Sequence, residues 1–111
     1  LRALLRRVEG DEVLRVADLE VDTATREVRR GERKVDNLTA REYELLEFMA
    51  RNPRRVLSRD QLLSEVWEQE FGVETNVDDV YIGYLRKKID GSGETPLIQT
   101  VRGVGYALRK L

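Results

Sequence analysis

Residues 76–90, NVDDVYIGYLRKKID, carry an apolar stripe at helical period, and that stripe constrains what the rest of the chain can build. At about 100° per residue, Ile82, Leu85 and Ile89 share one narrow face, whereas Asn76, Asp79, Gly83, Arg86 and Lys87 fall opposite it. Such a helix docks by one face and presents the other. The presented side ends in Arg86, Lys87 and Lys88. After a glycine-containing connection the chain returns as TVRGVGY, two β-prone pieces around a tight glycine turn that carries Arg102. A basic helix followed by a basic hairpin points to nucleic acid as a partner.

The chain has 111 residues, enough for one domain with its own core. It has no cysteine and no histidine, which removes disulfides, thiolate metal sites, Cys/His and Ser/His/Asp nucleophile arrangements and nearly all zinc chemistry. No cofactor is implied. No apolar run approaches the ~18 residues of a membrane span, and no signal peptide is visible, so the expected setting is the cytoplasm. The net charge is −1, but it is unevenly spread: from Val80 onward six basic residues meet two acidic ones, against fourteen and nineteen before it.

Leu1 to Arg7, LRALLRR, has helical composition and stops at an acidic, glycine-containing stretch. Residues 1–12 therefore read as the end of an upstream helix plus a linker, with the domain proper at 13–111. Val13 to Val16, Leu19 to Asp22, Glu27 to Arg30 and Arg33 to Val35 have apolar residues at alternate positions and turn chemistry between them, as in a small antiparallel meander whose apolar face packs on helices and whose charged face meets solvent. A charged helix over Glu27 to Asp36 is the alternative. Thr39 with Glu42, and Ser58 with Gln61, each form the sequence pattern of a capping box, so two helices start there. Tyr43, Leu45, Leu46, Met49 and Ala50 form the core stripe of the first helix. Leu62, Leu63, Val66 and Trp67 form that of the second, and Val56-Leu57 is a short extended piece between them. The third helix starts at Thr75 or Asn76, and the hairpin strands are Leu97 to Val101 and Tyr106 to Leu108. The order is that of an α+β winged helix-turn-helix: four-stranded antiparallel sheet, three helices, β-hairpin wing.

From about Val13 to its end the chain resembles the DNA-binding effector domain of OmpR/PhoB-class two-component response regulators. LTAREYELLEFMARNP, VLSRDQLLSEVW, VDDVYIGYLRKKID and TVRGVGY, at residues 38–53, 56–67, 77–90 and 100–106, carry the resemblance. It implies that LRALLRR ends a receiver domain lying upstream and that the third helix reads the major groove of double-stranded DNA. By the same resemblance Tyr81, Arg86 and Thr100 meet phosphates and Arg102 enters the minor groove. The loop formed by Glu68, Gln69, Glu70, Phe71, Gly72, Val73, Glu74 and Thr75 faces RNA polymerase, and head-to-tail copies bind tandem direct repeats.

Gly83 and Tyr84 stand where relatives often have arginines, which leaves base reading to Asn76, to Tyr84 and to apolar contact from Val77. Lys87 and Lys88 serve either DNA or the negative end of the helix. Trp67 and Phe71 read as core or loop anchors. Asp78 falls within the apolar stripe, where free N–H groups of the first turn are expected to satisfy it. An acid/base or hard-cation site built from Asp78, Asp79 and Glu65 or Glu74 lacks the spacing of an acidic calcium loop. The stronger rival is a winged helix used only for protein contacts.

Overall fold

The computed structural model describes residues 12–67, 77–91 and 93–110. Strands β1 (Val13–Val16), β2 (Leu19–Asp22), β3 (Glu27–Arg30) and β4 (Arg33–Val35) form an antiparallel sheet in sequence order. Helices α1 (Ala40–Arg51), α2 (Arg59–Val66) and α3 (Val77–Ile89) follow, with β5 (Leu57–Ser58) just before α2, and the hairpin β6 (Ile98–Val101) and β7 (Gly105–Leu108) closes the chain. The four N-terminal strands fall where alternation places them, which sets aside the charged-helix alternative. One pairing goes beyond the sequence reading. The extended piece before α2 is a third strand on the hairpin, with Leu57 opposite Tyr106 and Ser58 opposite Gly105. A Cβ on Gly105 would lie 1.9 Å from the Leu57 carbonyl oxygen, so the close approach of β5 requires glycine there.

Both capping boxes form. The Thr39 hydroxyl accepts from the Glu42 N–H at 3.2 Å while the Glu42 carboxylate accepts from the Thr39 N–H at 2.9 Å, and Ser58 and Gln61 do the same at 3.1 and 2.8 Å. With the helix starts fixed, Leu45, Leu46 and Met49 of α1, Leu62 of α2 and Ile82, Leu85 and Ile89 of α3 meet in one core with Val21 and Val28 of the sheet and Leu97 and Leu108 of the hairpin. Trp67 is buried with them, as expected of a core anchor. Phe71 lies outside the described residues.

The charged residues of the sheet are not all left to solvent. The alternation that buries Val28 puts Arg30 on the same inward face, where it is 2% exposed. All three guanidinium nitrogens are engaged: Nε donates to Asp18 at 2.8 Å, Nη1 to the Ile89 carbonyl at 2.8 Å and to Asp90 at 3.0 Å, and Nη2 to the Thr95 carbonyl at 3.0 Å. Asp90 accepts in turn from the N–H groups of Leu97 and Ile98 at 3.0 and 3.1 Å. One buried cation thus joins the sheet, the C-terminal end of α3 and the start of the hairpin, and it lies where the helix dipole is negative. Arg33 adds to this end from β4, donating to the carbonyls of Lys88 and Ile89, both at 3.1 Å, and to Glu94 at 2.7 and 2.9 Å.

Arg30→Ala leaves the largely buried Asp90 without its cation and should destabilise the domain by about 3–5 kcal/mol, read by denaturant unfolding. A loss below about 1 kcal/mol would show that the cluster is incidental. At the exposed neighbour, hydrogen bonds from Arg33 hold the Glu94 carboxyl down at about 2. Because the folded value lies below the unfolded one, this contribution is present above about pH 4.5 and fades as pH falls toward 2. Carboxyl NMR titration should find that low midpoint, moving up toward 4.5 in Arg33→Ala.

Candidate nucleic-acid interface

The outward side of α3 is built by the burial of its other side. With Ile82, Leu85 and Ile89 locked in the core, Val80, Tyr84 and Lys87 are exposed, Val80 by 39% and Tyr84 by 45%. Gly83 lies between them, and a Cβ there would meet nothing within 4 Å. Tyr84 is braced from behind. Its ring meets that of half-buried Tyr81 edge-on, with centroids 5.4 Å apart, and Tyr81 meets buried Trp67 the same way at 5.3 Å. This aromatic chain gives an exposed side chain a packed neighbour on one side.

Arg86 turns toward the hairpin. Its Nε donates to the Ile98 carbonyl at 3.2 Å and its Nη2 to the Thr100 hydroxyl, so two residues expected to meet phosphate are brought into contact with each other. Arg102 is exposed at the tip, where the Val104 N–H bonds the Val101 carbonyl at 3.0 Å and Gly103 takes φ +76°. A left-handed residue at that place suits glycine and lets the turn close tightly. Lys87 is exposed. Lys88 is not presented: its ammonium donates to Glu42 at 2.6 Å and to the Asn37 carbonyl at 2.8 Å, tying α3 to the start of α1. Val77 is half-buried and packs against the core, so its main contact is internal. Asn76 and the loop at 68–75 lie outside the described residues.

The first turn of α3 is pinned by two acids. Asp78 is fully buried, and its partner is a side chain rather than the free N–H groups expected from sequence: Arg59, the first residue of α2, grips it with Nε at 3.0 and 3.2 Å and Nη2 at 3.1 Å. The neighbouring Asp79 accepts from the Tyr106 hydroxyl at 2.6 Å, and burial together with that carboxylate pushes the Tyr106 phenol well above its usual range. Arg59 also faces the wing across an open cleft of ≈ 360 Å³ lined by Thr100, Arg102 and Tyr106. Arg59 has no place in the sequence reading, because its partner lies nineteen residues away. A buried acid in the apolar stripe was the available signal. Among the described residues no acidic cluster is placed to hold a metal ion.

Residues 31–108 match the family model described as "Transcriptional regulatory protein, C terminal". The chain belongs to this family. It is 52% identical to the "Response regulator MprA" of Mycobacterium sp. (strain KMS), over 99% of this chain and 50% of that protein, so the chain spans about half the length of the curated relatives it matches. Among solved structures, the Klebsiella pneumoniae RstA DNA-binding domain, in complex with RstA box, superposes with a TM-score of 0.76 at 27% identity, covering 88% of this chain and 97% of that one. The AdeR DNA-binding domain, in complex with an intercistronic region, superposes with 0.75 at 30% identity, covering 87% and 98%. These neighbours share the sheet, the three helices and the hairpin.

The pin at the start of α3 responds asymmetrically to mutation. Arg59→Ala strands a fully buried carboxylate and should cost this family member about 2–3 kcal/mol, whereas Asp78→Val restores an apolar stripe and frees a half-exposed arginine to water, staying within about 1 kcal/mol of the parent. Equal losses in the two variants, measured by thermal and denaturant unfolding, would contradict this account.

Proposed function

We propose that the chain is the DNA-binding output domain of a two-component response regulator, with α3 as recognition helix in the major groove and the β6–β7 tip as a wing in the minor groove. The observation that carries this reading is the Arg86 bridge. By holding the Thr100 hydroxyl and the Ile98 carbonyl, Arg86 fixes the wing strand beside α3, so the outward face of the helix, a cation and the Arg102-bearing tip form one surface. A phosphate backbone meeting that surface would find Arg86, Lys87 and Arg102 on it, with Tyr84 exposed on the same helix. The family match and the neighbours crystallised with DNA support the same reading.

Finer parts of the proposal rest on the resemblance to response regulators. Residues 1–12 close a receiver domain, 13–111 form the effector domain, the loop at 68–75 faces RNA polymerase, and copies associate head-to-tail on direct repeats in the cytoplasm. No described helix is long and apolar enough to cross a membrane.

Arg102→Ala should lower affinity for all duplexes, most for those flanked by A·T-rich, narrow-groove DNA, and reduce the slope of log affinity against log salt by about one. Fluorescence anisotropy across a salt series reads both. Unchanged slope and affinity would remove the wing from the interface, and no duplex binding even at low salt would favour a protein-contact module.

A further inference from the structure

A second group of cations lies away from α3 and the wing tip. The end of β1 with the turn after it, the segment that follows α1 and the end of β7 enclose an open cleft of ≈ 450 Å³. Arg15, Arg54, Arg109 and Lys110 line it, and no carboxylate does. β7 runs from Gly105 at the tip, so about 13 Å of strand separates the tip from Arg109 and puts the cleft at the base of the hairpin. The acids on the neighbouring turn are committed elsewhere: Asp18 accepts from buried Arg30 at 2.8 Å, and Glu20 accepts from exposed Arg15 itself at 3.4 Å. Among the described residues Arg54, Arg109 and Lys110 form no ion pair.

Two features set this cleft apart from a solvated basic surface. The Nε of Arg109 is buried and has no hydrogen-bond partner, in a fold that otherwise pairs nearly all its buried side-chain donors. A water molecule could accept from that donor, but it would not match the surrounding charge. Arg54 holds φ +69° while its N–H donates to the Leu108 carbonyl at 3.0 Å. Glycine would take that conformation without strain, so arginine there places a guanidinium at the cleft against the preference of its own backbone.

We propose that this cleft is an anion site for a phosphate group, gripped by Arg54 and Arg109 with Arg15 and Lys110 at its edge. Guanidinium forks match the oxygens of phosphate, and a phosphoryl group near pH 7 brings close to two negative charges where a carboxylate brings one, the better match to four cations. The inference does not depend on the DNA-binding reading. The same group can arrive free or on a nucleic-acid backbone.

The test titrates the 111-residue chain with sodium pyrophosphate, following arginine Nε–H resonances by NMR, against citrate and sodium chloride at matched ionic strength. Pyrophosphate should shift the Arg109 Nε–H signal saturably and bind at least about tenfold more tightly than citrate. Arg109→Met keeps the apolar stem and removes the orphaned donor, so it should fold with unchanged or higher melting temperature and bind pyrophosphate about tenfold more weakly. Arg54→Gly relieves the backbone, so it should raise the melting temperature while weakening pyrophosphate binding by a similar factor, a combination that a merely structural arginine would not give. Duplex titrations then identify the source. A salt slope reduced by about one in Arg54→Gly assigns the phosphate to DNA, and unchanged duplex binding assigns it to a small ligand. Shifts that only track ionic strength, citrate binding as tightly as pyrophosphate, or parent affinity in both variants would overturn the site.

Discussion

The Arg30 guanidinium, buried at the C-terminal end of α3, is the interaction on which the orientation of the presented helix depends. An ionised group removed from water is tolerable only if its charge is matched and its donors find acceptors, and Arg30 places four hydrogen bonds by reaching three separate segments at once: the β1–β2 turn through Asp18, the end of α3 through the Ile89 carbonyl and Asp90, and the connection to the hairpin through Thr95. The directional demands of these four hydrogen bonds fix distances that apolar packing alone leaves adjustable. The sheet, α3 and the hairpin therefore hold one mutual arrangement.

A second ion pair does the same at the other end of the helix. Arg59 and Asp78 clamp the first turn of α3 to the first turn of α2, and the Tyr106 hydroxyl on Asp79 ties that turn to the hairpin. Pinned at both ends and packed along Ile82, Leu85 and Ile89, the helix has little freedom to roll. A reading face needs this, because side chains that meet base edges must stay placed to within fractions of an ångström, and each degree of freedom removed before binding is an entropy loss avoided on binding. Asp78 therefore has a role in placing the site even though it is buried away from it.

The parts of this arrangement that were legible in the sequence are those set by local rules. Strand alternation placed β1 to β4, the S/T-x-x-E/Q pattern placed the starts of α1 and α2, and the period of 3.6 separated the two faces of α3. What escaped was set by distant partners. Arg30 binds groups about sixty residues on, and only its shared face with Val28 hinted that it points inward. Lys88 looked like part of a presented cationic turn because Glu42, forty-six residues earlier, had already been assigned to its own capping box, and one carboxylate serves both.

These internal commitments change what the charge of the chain means. A sequence with twenty basic residues suggests ample cation for a polyanion. Yet Arg30, Arg33, Arg51, Arg59 and Lys88 are held by carboxylates within the fold, and Arg86 is shared with the hairpin. On the proposed surface that leaves Lys87, Arg102 and the remainder of Arg86, so about three phosphate contacts and a salt slope near −3 for one domain on one half-site. That is a weak electrostatic hold. On the proposed reading, useful affinity would therefore come from placing two domains on adjacent half-sites rather than from a more basic helix.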